Sequence, residues 1–241
     1  MKSFYLILLI ATLIGCQTAR IKNEKYKISP ATTELGSIGQ GETFFNLENN
    51  FSTRSLPMLQ NKIRLDIQIL PLTSKLNKAY VEKGEYNQSQ SKITYVDSLS
   101  NKPEFAAISI LDLTGFAGEL NASYNKNMNS YLQEVSEAVV VTRIAITLPN
   151  EDLMKIRQAD TYYLENSQDK KYTIALYKEG KKIDTLDLHT GVILAYKLGK
   201  FCWAENNKRD WYIGDIVEDT HGCKGNTKHQ VKDEETNLFK M

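Results

Sequence analysis

The stretch "NKIRLDIQILPL" (61–72) sets Ile63, Leu65, Ile67 and Ile69 against Lys62, Arg64, Asp66 and Gln68 in strict alternation. A period of two marks a half-buried strand, because successive side chains point to opposite faces of a sheet. Working outward, "SKITYVDSL" (91–99), "EFAAISILDL" (104–113) and "EAVVVTRIAITL" (137–148) are β-branched runs that read as further strands. "KKYTIALYKEGKKIDTLDL" (170–188) reads as two strands joined at Glu179-Gly180, a hairpin signal. "GVILAYKLGKFCWAE" (191–205) and "RDWYIGDIVED" (209–219) supply at least two more. "ELGSIGQGETFF" (34–45) lacks the spacing of a dinucleotide fingerprint and reads as a turn or bulged hairpin.

One helix is well marked. Asn150 is placed to cap it, Glu151 and Asp152 follow in its first turn, and Leu153, Ile156 and Ala159 share a face. No strand–helix–strand alternation appears, which excludes a parallel α/β sheet. The expected fold is mainly β: an antiparallel sandwich or barrel-like body with one short α-helix near 150–160. The 241 residues carry 30 Lys and Arg against 29 Asp and Glu. That near-neutral balance offers no basic stripe, so no nucleic-acid partner is expected.

The N-terminus carries its own signal. Lys2 precedes an apolar run, Phe4 to Ile14, of the length of a secretory h-region and too short to span a bilayer. The run ends at Leu13-Ile14-Gly15-Cys16, which resembles the lipobox of bacterial lipoprotein precursors. The resemblance implies cleavage before Cys16 and diacylglycerol on its sulfur, and it covers only residues 1–17. It further implies a membrane partner reached through the N-terminal lipid anchor. Gln17, rather than Asp, follows the cysteine, which by the same resemblance points to the outer membrane, facing the periplasm, with the cell surface as the alternative that the basic Arg20, Lys22 and Lys25 weaken. The expected division is a signal peptide (1–15), a lipidated tether (16–30), a β-rich body (31–223) and a charged tail (224–241). The body has room for a small N-terminal subdomain at 31–60.

Of the three cysteines, lipidation of Cys16 leaves Cys202 and Cys223. An exported chain with two remaining thiols favours a disulfide between them. Two separate thiols are the first alternative. Metal binding by His221, Cys223 and Cys202 is another, but a structural zinc site wants four ligands and no second pair is visible. A cysteine nucleophile activated by His189 or His221 is the last. Asp187 and His189 stand two apart in an expected strand and could pair, although edge-strand polarity explains them better. Glu151 and Asp152 do not face each other, and Asp233-Glu234-Glu235 reads as a solvated run. Trp203, Trp211 and Tyr212 could line a groove, but strand aromatics usually belong to the core or to cross-strand pairs. Asp97-Ser98-Leu99 and Asp184-Thr185-Leu186 resemble the Asp-Ser/Thr-aliphatic sites O-glycosylated in some Bacteroidota envelope proteins.

No catalytic, cofactor-binding or metal site is therefore expected. The favoured function is a non-catalytic envelope module that binds a protein or glycan partner or serves a structural role. A lipid-tethered inhibitor or immunity-type protein is the alternative. An envelope hydrolase built on Asp187 and His189, or on a free Cys202, is the third.

Overall fold

A computed structural model describes residues 18–28, 33–40, 51–84, 93–98, 102–135, 137–167, 171–218 and 221–231. Residues 1–15, which read as a signal peptide, Cys16 and the acidic run at 233–235 lie outside the described residues. Twelve strands are seen among them: β1 (Thr18–Ile21), β2 (Glu24–Lys27), β3 (Ile38–Gln40), β4 (Ser52–Ser55), β5 (Ile63–Pro71) and β6 (Glu104–Ile110), then β7 (Ala138–Thr147), β8 (Thr161–Asn166), β9 (Tyr172–Lys178), β10 (Lys181–Asp187), β11 (Val192–Glu205) and β12 (Trp211–Glu218). They form one antiparallel sheet in the order β1-β2-β11-β7-β6-β5-β8-β9-β10. Strand β12 extends β11, and the β3–β4 pair sits against the start of β7. The body is mainly β and antiparallel, as the alternation at 61–72 dictates.

Buried apolar clusters lie on both sheet faces, but the second covers only part of its face, where Arg64, Asp66 and Gln68 of β5 stay polar and at least partly exposed. Ile63, Leu65 and Ile67 of β5 join Ile108, Ile144, Ile146, Leu164, Ile174, Leu186 and Ile216 in one continuous cluster. Strands near opposite ends of the order thus meet in a single core. Gly36 shows how closely: a Cβ there would lie 2.8 Å from the ring of Tyr172 on β9, although β9 is far along the sheet from β3. Its φ of 76° adds backbone strain to any replacement. The opposite face buries Phe105, Ala145, Val192 and Leu194 beneath Leu76 and Tyr80 of a helix.

Four helices are described where the sequence marks one: α1 (Ser74–Gly84), α2 (Leu113–Asn121), α3 (Lys126–Glu134) and α4 (Asn150–Gln158). The marked one, α4, buries Leu153 and Ile156 as expected, but Pro149 rather than Asn150 occupies the cap. The stretch at 91–99 is corrected. Residues 93–98 form no strand; Ile93 and Tyr95 pack on the second core while Asp97 accepts from the Tyr95 hydroxyl at 2.7 Å. Alternation there comes from packing without a ladder. The Glu179-Gly180 hairpin is present, with both residues at positive φ as a tight two-residue turn requires.

The stretch that reads as a tether holds a hairpin instead. Residues 18–27 form β1 and β2, with Tyr196 of β11 paired to Lys27. Ala19, Ile21 and Tyr26 are buried in the second core, which supplies the reason. The tail also begins later than its charge suggests, because Lys228 exchanges backbone hydrogen bonds with Trp203.

Candidate functional site

A groove of about 530 Å³ lies beside α3. Ile38, Leu56 and Met58 line it together with Tyr124, Met128 and Tyr131, and Asn125 and Asn127 add polar groups. Met58 is 48% exposed and Tyr131 38%, so large apolar surface faces solvent here.

Side chains, not a ladder, hold the wall at 57–61. The Asn125 amide accepts from Met58 N at 3.0 Å and donates to Met58 O at 2.8 Å. Tyr172 donates to Pro57 O at 2.6 Å, and Asn166 to Leu59 O at 3.1 Å. Glu119, only 4% exposed, accepts from Gln60 N, from Asn61 through backbone and side chain, and from the Tyr124 hydroxyl. Burial by itself would raise the Glu119 pKa, but these donors outweigh it and hold the carboxyl below its ordinary value. Burial, then the bond to Glu119, pushes the Tyr124 hydroxyl up to about 12. A loop whose buried polar groups are satisfied in this way is rigid, so the groove is set before anything enters it.

A second constellation lies where the N-terminal hairpin meets the sheet. Arg143 Nη1 donates to both Glu24 oxygens, at 2.8 and 2.7 Å, and its Nε donates to Glu218 at 2.5 Å. Lys197 bridges the same two carboxylates at 3.0 and 2.6 Å. Burial pulls Lys197 down, yet its two carboxylate partners leave its pKa raised. Charge balances within this ring of two acids and two bases, so it serves as a clasp.

The residues singled out in sequence are dispersed. Asp187 ends β10 and accepts from His189 N at 2.8 Å, capping the 3-10 turn at 188–190. The pair is a cap and not a carboxylate–imidazole dyad. Trp203 is 2% exposed in the core and Trp211 packs against it, while Tyr212 is exposed. The groove aromatics are instead Tyr124 and Tyr131, in the segment "NASYNKNMNSY" (121–131), where tyrosines and methionine alternate with amides. That exposed pattern was the available signal. Thr185, of the second glycosylation-like tripeptide, is exposed on β10, while Leu99 of the first lies outside the described residues.

Cys202 and Cys223 form a disulfide with their Cα atoms 5.5 Å apart, pinning the loop after β12 to β11. His229, rather than His221, stands beside it. Comparison with known proteins finds no matching family model, no matching curated protein and no matching solved structure.

Proposed function

We propose that this chain is an outer-membrane lipoprotein, anchored by acyl chains on Cys16, whose groove beside α3 engages apolar side chains of a partner protein in the cell envelope. The lining of the groove carries this reading. Methionine adapts to irregular apolar partners, and tyrosine and methionine are the residue types enriched at protein interfaces. Met58, Met128, Tyr124 and Tyr131 supply both types on a prepositioned wall. The anchor rests on the lipobox residues. Because β1 starts at Thr18, two residues past Cys16, the lipid would attach within about 7 Å of the folded body. Two or more acyl chains would hold it there stably.

Both parts are tested in the native envelope. A photo-crosslinking residue at position 131 should yield a discrete adduct, and the same residue at position 78, on the far sheet face, should not. Met58→Asp should remove the adduct. Equal labelling at both positions, or an adduct indifferent to Met58→Asp, overturns the groove reading. Separately, Cys16→Ala should abolish acylation and membrane fractionation. A processed, membrane-bound variant overturns the anchor.

A further inference from the structure

Three metal-ligating atoms converge where the loop after β12 meets β11. Trp203 N donates to Lys228 O at 2.7 Å and Lys228 N to Trp203 O at 2.8 Å, a closed antiparallel bridge. That register sets Cys202 opposite His229. A turn then returns the chain: Gly225 sits at a φ of 62°, and the Thr227 hydroxyl donates to Lys224 O at 2.7 Å. Cys223, before the turn, and His229, after it, are thereby brought together with Sγ and Nδ1 3.1 Å apart. One ligand atom from each of Cys202, Cys223 and His229 lies within 4.8 Å of the others. Cys202 is buried, Cys223 half-buried and His229 exposed, so the cluster opens outward on one side.

We propose that this cluster is a redox-gated zinc site: closed as the Cys202–Cys223 disulfide, and open on reduction as a Cys₂His site for Zn²⁺ with its fourth position facing solvent. The dimensions suit it. Zinc bonds of about 2.3 Å to sulfur and 2.0–2.1 Å to nitrogen, tetrahedrally arranged, place ligand atoms roughly 3.5–3.8 Å apart. The sulfurs need only part to that distance, and the Cys223–His229 pair widen by about 0.5 Å. The backbone bridge at Trp203 and the turn at 224–227 contain no sulfur, so they keep the three ligands together after the disulfide opens. Spacing in the sequence suggested His221 as the imidazole partner, but the turn selects His229.

The chemistry balances with a dithiol as reductant. Its thiolate bonds to the accessible Cys223 sulfur, the Cys202–Cys223 bond breaks, and Cys202 leaves with the electron pair and takes up a proton. The second thiol of the reductant then displaces Cys223, leaving the reductant as a disulfide. Two electrons and two protons have passed to the protein. Zn²⁺ displaces the thiol protons and is bound by two thiolates and the neutral imidazole.

The test uses the full chain in detergent, reduced with dithiothreitol, desalted without oxygen and titrated with Co²⁺. The expected result is one equivalent bound, with the visible bands of tetrahedral Co²⁺ and thiolate charge-transfer absorption, both bleached by Zn²⁺. His229→Ala should weaken binding by more than about tenfold, the scale of losing even an outer-shell partner. His221→Ala should leave it unchanged, and the oxidised protein should bind none. Cys202→Ser should lose half of the charge-transfer intensity. Should reduction unfold the chain, Zn²⁺ must restore its far-ultraviolet dichroism. Absent bands in a folded reduced chain, no restoration in an unfolded one, wild-type affinity in His229→Ala, or equal binding by the oxidised protein overturns the proposal.

Discussion

Glu119 gathers its donors from both sides of the groove wall, and its charge is what makes the arrangement work. Glu119→Gln would set an amide N–H₂ against the N–H groups of Gln60 and Asn61, at a cost of about 2–3 kcal/mol in urea unfolding at pH 7. The folded pKa lies below the ordinary value of 4.5, so the stabilisation is complete above that value and fades as pH falls through the folded pKa. The gap between wild type and Glu119→Gln should therefore narrow in unfolding curves taken below pH 4.5. Lys83 is instead a charge that the fold penalises, although its pH dependence runs in the same direction. It is buried at the end of α1, where it donates to the carbonyl of Ile193, and burial lowers its pKa to about 8. The unfolded chain then binds more protons than the folded one between about pH 8 and 10.5, so this residue makes stability rise with pH across that window. Lys83→Met should remove a rise of roughly 2 kcal/mol between pH 7 and 10, read by comparing denaturation midpoints with wild type. Neither residue stands out in the sequence. A lysine or glutamate in a polar-looking helix normally signals solvent, and only the tertiary arrangement buries these two.

At the scale of elements, the N-terminal hairpin is held by apolar burial on one face and by the four-membered charge ring at its base. The ring's carboxylates differ in exposure, 15% for the Glu218 side chain and 39% for Glu24, and this decides their weight. Glu218→Gln strips the closer partner from both Arg143 and Lys197 in a shielded site and should destabilise by about 3 kcal/mol. Glu24→Gln should cost under about 1 kcal/mol, and hydrogen exchange should quicken at 18–27 alone. Strands were legible at this scale because alternation survives in any sheet with one buried face. Helices α2 and α3 were not. "LTGFAGELN" carries two glycines, each costing about 1 kcal/mol in a helix interior. Burial of Phe116, Ala117 and Leu120, together with the Asp112 cap on Gly115 N at 2.7 Å, overrides that penalty. The hairpin at 18–27 was missed for a related reason. Its cations suggested a solvated tether, and its three buried side chains are too few to announce a strand pair.

For the whole molecule, fold class and disulfide were legible and the groove was not, since its walls come from β3, the loop at 56–58 and α3, segments that meet only when the sheet is complete. The same long-range construction governs how it assembles. Within the described residues β2 reaches the sheet through β11, and the clasp joins Glu24 to Lys197 across 173 positions. Pairings of such separation form late, because the loop they close must first be ordered. Ile21→Ala, which should cost roughly 3 kcal/mol, is expected to speed unfolding while leaving the refolding rate nearly unchanged in a chevron plot. A slowed refolding limb would show that the hairpin belongs to the nucleus instead. The hairpin at 18–27 therefore finds its seat only after the strands out to β12 exist. A two-stranded hairpin alone is marginal in water. Until β11 and Glu218 arrive, residues 18–27 stay accessible to cleavage, modification or capture. The clasp thus ties the order of folding to sequence length, since its two acids stand at positions 24 and 218 and neither can close the ring alone.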